Sequence, residues 1–247
     1  MAVAGVLLVV YAGMVVFWRD PVTSIYTAYE QHEMRSQLGQ TFEQWQKGAQ
    51  SELGTPAPAP GTHGAATVAP QVSSAVVMRS ARRLAKRFAA AERGHTGRPI
   101  GRINISRIGL SSIVVENTDY WGSLSKGPGR YEQGSFPGLG QTTGIAGHRT
   151  TFAAPFRHID SIRVGDPVVV QMPYGTFTYR VLRHRIVDNG DWSIMRNVGF
   201  DELVLSACHP LYSAAQRYVV FAKLESVKLA GTSRTVRVTP APAATAA

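Results

Sequence analysis

The chain has 247 residues, a formal net charge of +10 and one cysteine. A single cysteine excludes an intramolecular disulfide, and a hydrophobic content of 44% is ordinary for a globular protein with a buried core. The positive charge favours contact with polyanions such as nucleic acid, anionic lipid head groups or the acidic polymers of a bacterial wall. Charge alone does not distinguish among these partners.

The N-terminal stretch of the chain is apolar. Residues 2–17 carry no charge and are followed by Trp18 and Arg19, an aromatic residue and a cation of the kind found at a bilayer interface. This pattern predicts a transmembrane anchor over residues 1–19. Because the apolar stretch is near the lower limit for crossing hydrocarbon, a cleaved signal peptide is the alternative. No Lys or Arg precedes the stretch, so the positive-inside rule favours a cytosolic location for the rest of the chain.

Three segments separate the apolar stretch from the body of the protein. Residues 20–54 are rich in Glu, Gln and Ala and are predicted to form a helical arm. Residues 55–75 are rich in Pro and Ala and are predicted to form a semi-extended linker. Residues 76–97 are predicted to form a basic helix. Its cations either form a solvated face while Leu84 and Phe88 pack on the body, or bind an anionic surface.

Residues 98–229 contain short β-branched and aromatic runs separated by Gly, Pro, Asn and Asp, which is typical of a sandwich or a barrel. Strands are predicted at 100–106, 111–116, 143–147, 167–172, 176–187, 202–208 and 217–226. The turn at Pro173–Gly175 predicts a half-buried hairpin between two of them. Short helices are predicted at 118–125 and 153–162. Residues 230–247 are predicted to end the last strand and continue as a disordered tail.

Three reactive side chains lie at the predicted ends of strands. His148 follows one apolar strand, Cys208 ends another, and Arg217 begins the next. If the last two strands are neighbours, Cys208 and Arg217 lie at the same edge of the sheet. Acyl transfer requires a thiolate that attacks, a proton for the departing amine and positive charge facing the oxyanion. Cysteine, histidine and arginine supply one of these each.

Other candidate sites are less favoured by the sequence. His209 is adjacent to Cys208, and neighbouring side chains on a strand point to opposite faces, so His209 is a poor candidate for the base. A zinc site built from His148, Cys208 and His209 would lack the usual paired ligand spacing. The glycine-rich nucleotide motifs are absent as well, so we predict no cofactor.

The reactive residues lie in motifs that resemble a known family. The run VLSACHPLYSAAQR is similar to the sortase signature TLxTC, which is followed nine positions later by arginine, and AGHRTTFAAPFRHID is similar to the histidine motif of the same family. The resemblance covers about residues 98–228 and is strongest to class E sortases. It implies a closed eight-stranded β-barrel with short helices. Val204 and Ala207 replace the two threonines of the signature, with Ser206 between them, and all three are expected to line the substrate groove.

The resemblance also implies a reaction. Cys208 would attack an LPXTG-like or LAXTG-like sorting signal between Thr and Gly and form a thioester, which an amine of the peptidoglycan precursor would resolve. His148 would act as acid and base, and Arg217 would stabilise the transition state. The expected partners are secreted proteins that bear the signal, the wall amine and the membrane, but not nucleic acid. From this chemistry, and against the flanking charges, we expect a single-pass plasma-membrane protein with an extracellular catalytic domain.

Three alternatives remain at this point. An L,D-transpeptidase also places Cys and His on a β scaffold in the wall, although its SxGC-type motif is absent here. A wall-binding β module with an inert Cys208 is the alternative from another functional class. A nucleic-acid binder would explain the charge of the chain but not its apolar N-terminal stretch.

Overall fold

The computed structural model describes residues 20–53 and 74–238, together with residues 3–6, 9–11 and 13. Most of the predicted anchor, nearly all of the predicted linker and the last nine residues of the predicted tail lie outside the described residues. Within the described ranges, no helix combines the length and the apolar character needed to cross a bilayer.

Two long helices, α1 (Pro21–Leu53) and α2 (Ser74–Glu92), precede the β domain. Across the described residues this domain contains nine strands: β1 (Pro99–Ile105), β2 (Leu110–Glu116), β3 (Gly129–Arg130), β4 (Thr142–Ala146), β5 (Pro167–Met172), β6 (Gly175–Asp188), β7 (Glu202–His209), β8 (Gln216–Leu229) and β9 (Val236–Arg237). The seven predicted strands are all present. The two that the sequence missed, β3 and β9, are two residues long and therefore too short to show a periodic pattern.

The strands form one sheet in the order β6-β5-β1-β2-β3-β4-β7-β8-β9, and an additional pairing between β6 and β8 closes it. The closed ring contains eight strands, β1 to β8, so the predicted eight-stranded barrel is confirmed. Most neighbours are antiparallel, but β2 pairs with β3 and β4 pairs with β7 in parallel. Among the described residues, the ninth strand pairs with the end of β8 and lies outside the ring.

The hairpin between β5 and β6 shows why this sequence forms a barrel. Met172 pairs with Gly175, so the turn between them consists of Pro173 and Tyr174. Along β6, Phe177 and Tyr179 are fully buried and alternate with half-buried residues, as the sequence pattern predicted. This alternation places one apolar face of the strand in the barrel core.

The short helices were predicted less well. A single π-helical turn at Tyr120–Leu124 lies within the predicted helix 118–125. The predicted helix 153–162 was wrong over most of its length, because only a 3₁₀ turn at Ile159–Ser161 is helical there. Phe156, Ile159 and Ile162 are buried as their helical spacing suggested, but turns bring them into the core.

Helix α2 covers one end of the barrel. Leu84 and Phe88 are buried, and the Phe88 ring contacts Phe136 and Tyr174 of the β domain and Trp45 of α1, with centroid separations of 5.2–5.6 Å. The apolar face of this helix is therefore a packing surface. Its exposed basic side chains lie on the remaining surface of the helix, and they are Arg79, Arg82, Arg83, Lys86 and Arg87. Of these, Arg87 lies at the border of the packing surface, with its guanidinium over the Trp45 ring.

Helix α1 lies across β2. Its Gln31 side chain accepts a hydrogen bond from the backbone N–H of Ile113 at 2.8 Å and donates to the carbonyl of Lys126 at 2.8 Å. Met34 and Leu38, one and two turns further on, pack against Ile113 and Val115. These contacts fix the position of the first turn of α1, which lies near the candidate site described below.

A buried ion pair joins β2 to β3. Arg130 and Glu116 are 1% and 0% exposed, and the guanidinium donates from Nε to Glu116 Oε2 at 2.7 Å and from a second nitrogen to Oε1. The third nitrogen, Nη1, donates to the carbonyls of Tyr131 and Gly134 at 2.8 and 2.7 Å. Because every charge in this group is compensated, the burial of the pair is tolerated.

We expect Glu116→Gln to lower the free energy of unfolding by about 3–5 kcal/mol, since it leaves the Arg130 charge buried without a partner. The exposed pair between Arg180 and Glu225 provides a matched control, and Glu225→Gln should cost less than about 1 kcal/mol. Urea unfolding followed by circular dichroism measures both values. Equal effects of the two substitutions would contradict this assignment.

Candidate active site

Three neighbouring strands bring the predicted reactive residues to one edge of the barrel. Strands β4 and β7 are parallel, with Ala146 opposite Ser206, and the N–H of Gly147 continues the ladder to the Ser206 carbonyl at 3.0 Å. His148 and Cys208 each lie two residues beyond this paired position. Strand β8 runs antiparallel to β7, with Cys208 directly opposite Arg217. The expected placement of Cys208 and Arg217 at the same edge is therefore confirmed.

The three side chains line a single open cavity of about 580 Å³. Its walls come from the strand ends and from the loops around them, and the other lining residues include Tyr120, Tyr131, Thr151, Ser206, Ala207 and Tyr212. Cys208 is half-buried, so its sulfur is not sealed inside the core. A cavity of this kind is large enough to hold part of an extended peptide beside the sulfur.

Alternation along β7 separates the predicted groove residues. Ala207 is 2% exposed and belongs to the barrel core, although it also borders the cavity. The Ser206 hydroxyl lies 2.7 Å from the Tyr131 hydroxyl in the cavity wall. Val204 is fully buried in a second apolar cluster with Val219 and Phe221, so it supports the site from behind.

The imidazole of His148 is packed between aromatic rings. The Tyr120 ring meets it edge-on at 5.3 Å between centroids, and the Phe152 ring lies at 5.0 Å with an interplanar angle of 37°. Burial disfavours the charged form and lowers the pKa of His148 to about 4. Its Nε2 has no hydrogen-bond partner among the described residues. At neutral pH the ring is therefore uncharged and able to accept a proton.

The guanidinium of Arg217 is held by backbone carbonyls. It donates from Nη1 to the carbonyls of Ala214 and Gln216 at 3.1 and 3.0 Å. None of the ion pairs among the described residues includes Arg217, so no carboxylate neutralises it there. A fixed cation with free donor capacity thus borders the cavity beside the sulfur.

Sequence reasoning missed Arg149, which connects the histidine loop to β7. Its side chain is almost fully buried and donates to Asp160 Oδ2 at 2.5 Å and to the Arg157 carbonyl at 3.2 Å. It also donates to the backbone carbonyl of Cys208 at 3.3 Å. The only signal in the sequence was a cation directly after His148. Among the described residues, no cluster of His, Cys, Asp or Glu could hold a metal ion.

Comparison with known proteins points to one family. Residues 103–225 match the family model described as a sortase domain. The chain is 33% identical over 132 residues to Sortase D of Bacillus subtilis, which covers 52% of this chain and 65% of that protein. It is 31% identical over 90 residues to Sortase SrtE1 of Streptomyces coelicolor, covering 33% and 26%. The alignments therefore span less than two thirds of either relative.

The fold is also shared with a solved structure, that of Sortase E1 from Streptomyces coelicolor with a tripeptide in its active site. The two structures superpose with a TM-score of 0.53 at 22% sequence identity, over 56% of this chain and 94% of the other. At this level of identity the similarity demonstrates the fold.

We expect the imidazole of His148 to titrate with a midpoint near pH 4, well below its ordinary value of 6.5. Because the folded-state pKa is lowered, the unfolded chain binds more protons between these two values, and stability falls as the pH drops from 6.5 to 4. NMR titration of the ring measures the midpoint, and His148→Gln assigns the signal. The same substitution should flatten the loss of stability in acid. A midpoint at or above 6.5 would contradict the desolvated environment.

Proposed function

Because the chain belongs to the sortase family through its domain at residues 103–225, we propose that it is a cysteine transpeptidase of the cell surface. In this proposal it cleaves an LPXTG-like or LAXTG-like signal between Thr and Gly and transfers the acyl group to an amine of the cell wall. The N-terminal stretch anchors it in the plasma membrane with the barrel on the extracellular face. The observation that supports this most directly is the shared cavity of Cys208, His148 and Arg217.

The first half-reaction forms a thioester. The neutral imidazole of His148 accepts the thiol proton while the sulfur of Cys208 attacks the carbonyl carbon of the substrate threonine. The carbonyl oxygen becomes an oxyanion, and the Arg217 guanidinium faces it as a fixed positive charge. When the intermediate collapses, the bond between carbon and nitrogen breaks and the imidazolium donates its proton to the departing glycine amine.

The second half-reaction transfers the acyl group. The nitrogen of the wall amine attacks the thioester carbon, and His148 now accepts a proton from this nitrogen. Arg217 again stabilises the oxyanion. Collapse of the intermediate forms the new amide bond and releases the sulfur of Cys208, which regains the proton. Attack by water would give hydrolysis, so the aromatic rings of Tyr120 and Phe152 around the imidazole favour transfer by limiting its hydration.

The substrate peptide that carries the sorting signal would lie along the end of β7. Ser206 and Ala207 border the cavity and are proposed to contact the peptide, while Val204 shapes the groove from below. The Ser206 hydroxyl already shares a hydrogen bond with Tyr131, which leaves it only part of its capacity for a ligand. Shape therefore contributes more to recognition at these positions than hydroxyl groups do.

The reaction is tested by mass spectrometry on the full chain. The protein is incubated with LAXTG and LPXTG peptides and with a glycine or diaminopimelate amine. We expect a thioester on Cys208 that lacks the residues after threonine, together with the ligated peptide. Cys208→Ala should abolish both products, since no other cysteine is present.

The alternatives give different results in the same experiment. An L,D-transpeptidase would not react with the sorting peptides, and its Cys208 would instead be acylated by a wall tetrapeptide. A binding module would form no covalent product, and its sulfur would be dispensable. If a folded sample forms no thioester with either peptide, the proposed reaction is wrong.

Arg217→Ala should reduce the turnover number by about 100- to 1000-fold, because one donor to an oxyanion typically contributes that much. The Michaelis constant for the peptide should change much less. Arg185→Ala is the matched control, since Arg185 lies on neighbouring β6, is exposed and pairs with Asp191. Steady-state kinetics on both variants measures the effect. An Arg217 variant with near-normal turnover would exclude the guanidinium from the transition state.

A further inference from the structure

The loop after His148 has an unusual backbone. Phe152, Ala153 and Ala154 are consecutive and have φ angles of 50°, 58° and 45°, in the left-handed region that residues with a side chain seldom adopt. Such a run persists only where the surrounding structure holds it in place. The contacts that hold this loop are therefore part of what shapes the site.

On its inner side the loop is held by the site itself. The Phe152 ring is 3% exposed and packs against His148 at 5.0 Å, Tyr120 at 5.6 Å and Trp121 at 5.9 Å between ring centroids. The N–H of Phe156 donates to the carbonyl of His148 at 3.0 Å. The position of the imidazole thus depends on the position of the Phe152 ring.

On its outer side the loop is held by the first turn of α1. The hydroxyl of Thr23 accepts a hydrogen bond from the backbone N–H of Phe152 at 2.8 Å, across 129 residues of sequence. The ring of Tyr26, one turn further along, meets Phe152 edge-on at 6.5 Å. Thr27 extends the contact by donating to the carbonyl of Ser125 at 2.7 Å.

Asp20 orients the Thr23 hydroxyl. Its carboxylate accepts a hydrogen bond from the Thr23 hydroxyl at 2.8 Å. It also accepts hydrogen bonds from the backbone N–H groups of Val22 and Thr23, so it caps α1. An ionised carboxylate only accepts hydrogen bonds, so the hydroxyl proton points toward Asp20. The lone pairs of the oxygen are then left for the N–H of Phe152. The geometry makes Thr23 an acceptor for this loop.

We infer that Thr23 is a positioning residue for His148, and that the first turn of α1 completes the site by holding Phe152 against the imidazole. The inference rests on the proposed function for its effect on rate, but the contact itself is independent of the reaction. Without the acceptor, the Phe152 N–H loses its partner and the left-handed run can relax. The ring that packs on His148 then moves, and the imidazole no longer lies where proton transfer needs it.

The test compares two substitutions in the full chain. Thr23→Val keeps the size of the side chain but removes the hydroxyl, whereas Thr23→Ser keeps the hydroxyl. Thr41→Val is the matched control, because Thr41 lies on the same helix and its hydroxyl donates to the Gln37 carbonyl within that helix. We expect Thr23→Val to lower the turnover number by about 10- to 100-fold, as small misplacements of catalytic groups do. Thr23→Ser and Thr41→Val should remain near the wild-type rate.

A second readout separates this inference from the proposed reaction. The NMR signals of the His148 ring report the ring current of Phe152, so they should shift in Thr23→Val and stay in place in Thr23→Ser and Thr41→Val. If the wild-type chain forms no thioester, the proposed reaction is wrong. The ring signals then still show whether Thr23 holds Phe152 against His148. Unshifted signals in Thr23→Val, or equal shifts in the Val and Ser variants, would overturn the inference. A rate loss that merely follows a lower melting temperature, with unshifted signals, would overturn it as well.

Discussion

The parallel pairing of β4 with β7 is the constraint on which the site depends. Parallel neighbours end at the same edge of a sheet, so the residues that follow them, His148 and Cys208, come together although 60 positions separate them in the sequence. Strand β8 starts at this edge because it is antiparallel to β7, which adds Arg217. A slip of one residue between β4 and β7 would reverse the face of each side chain. The closed ring prevents such a slip, since every strand from β1 to β8 is held on both sides.

The electrostatics of the cavity follow from what each element buries. Aromatic packing removes water from His148 and keeps its ring neutral, so the cavity contains one permanent positive charge, that of Arg217. Two cations beside one sulfur would repel each other and would leave no group able to accept a proton. This burial lowers the stability of the fold in acid, because the desolvated imidazole binds a proton less readily than the unfolded chain does. Arg149 is a second cation nearby, but Asp160 compensates its charge, and its other donors are used on backbone carbonyls.

Periodic strands and residues of a rare type could be predicted from the sequence. Residues whose role depends on contacts with distant parts of the chain could not. The alternation of Phe177 and Tyr179 was sufficient to predict β6, and the lone cysteine before a proline marked the end of β7. The helix predicted at 153–162 failed because turns, beginning with the left-handed run after His148, give the same apolar spacing. Arg149 and Thr23 could not be found from the sequence, because their partners lie tens of residues away. Val204 was expected in the groove, but it lies deeper along β7 than Ser206 and Cys208, which share its face, and it is buried in an apolar cluster.

Direct contacts join the predicted arm to the barrel. The amide of Gln31 bonds to both backbone groups of Ile113, much as a neighbouring strand would. Removal of α1 would expose Ile113 and Val115 and would remove both of these hydrogen bonds. It would also remove Trp45 from the aromatic cluster beneath α2. The helix that follows the apolar N-terminal stretch is therefore part of the folded body, and its first turn lies directly behind the histidine loop.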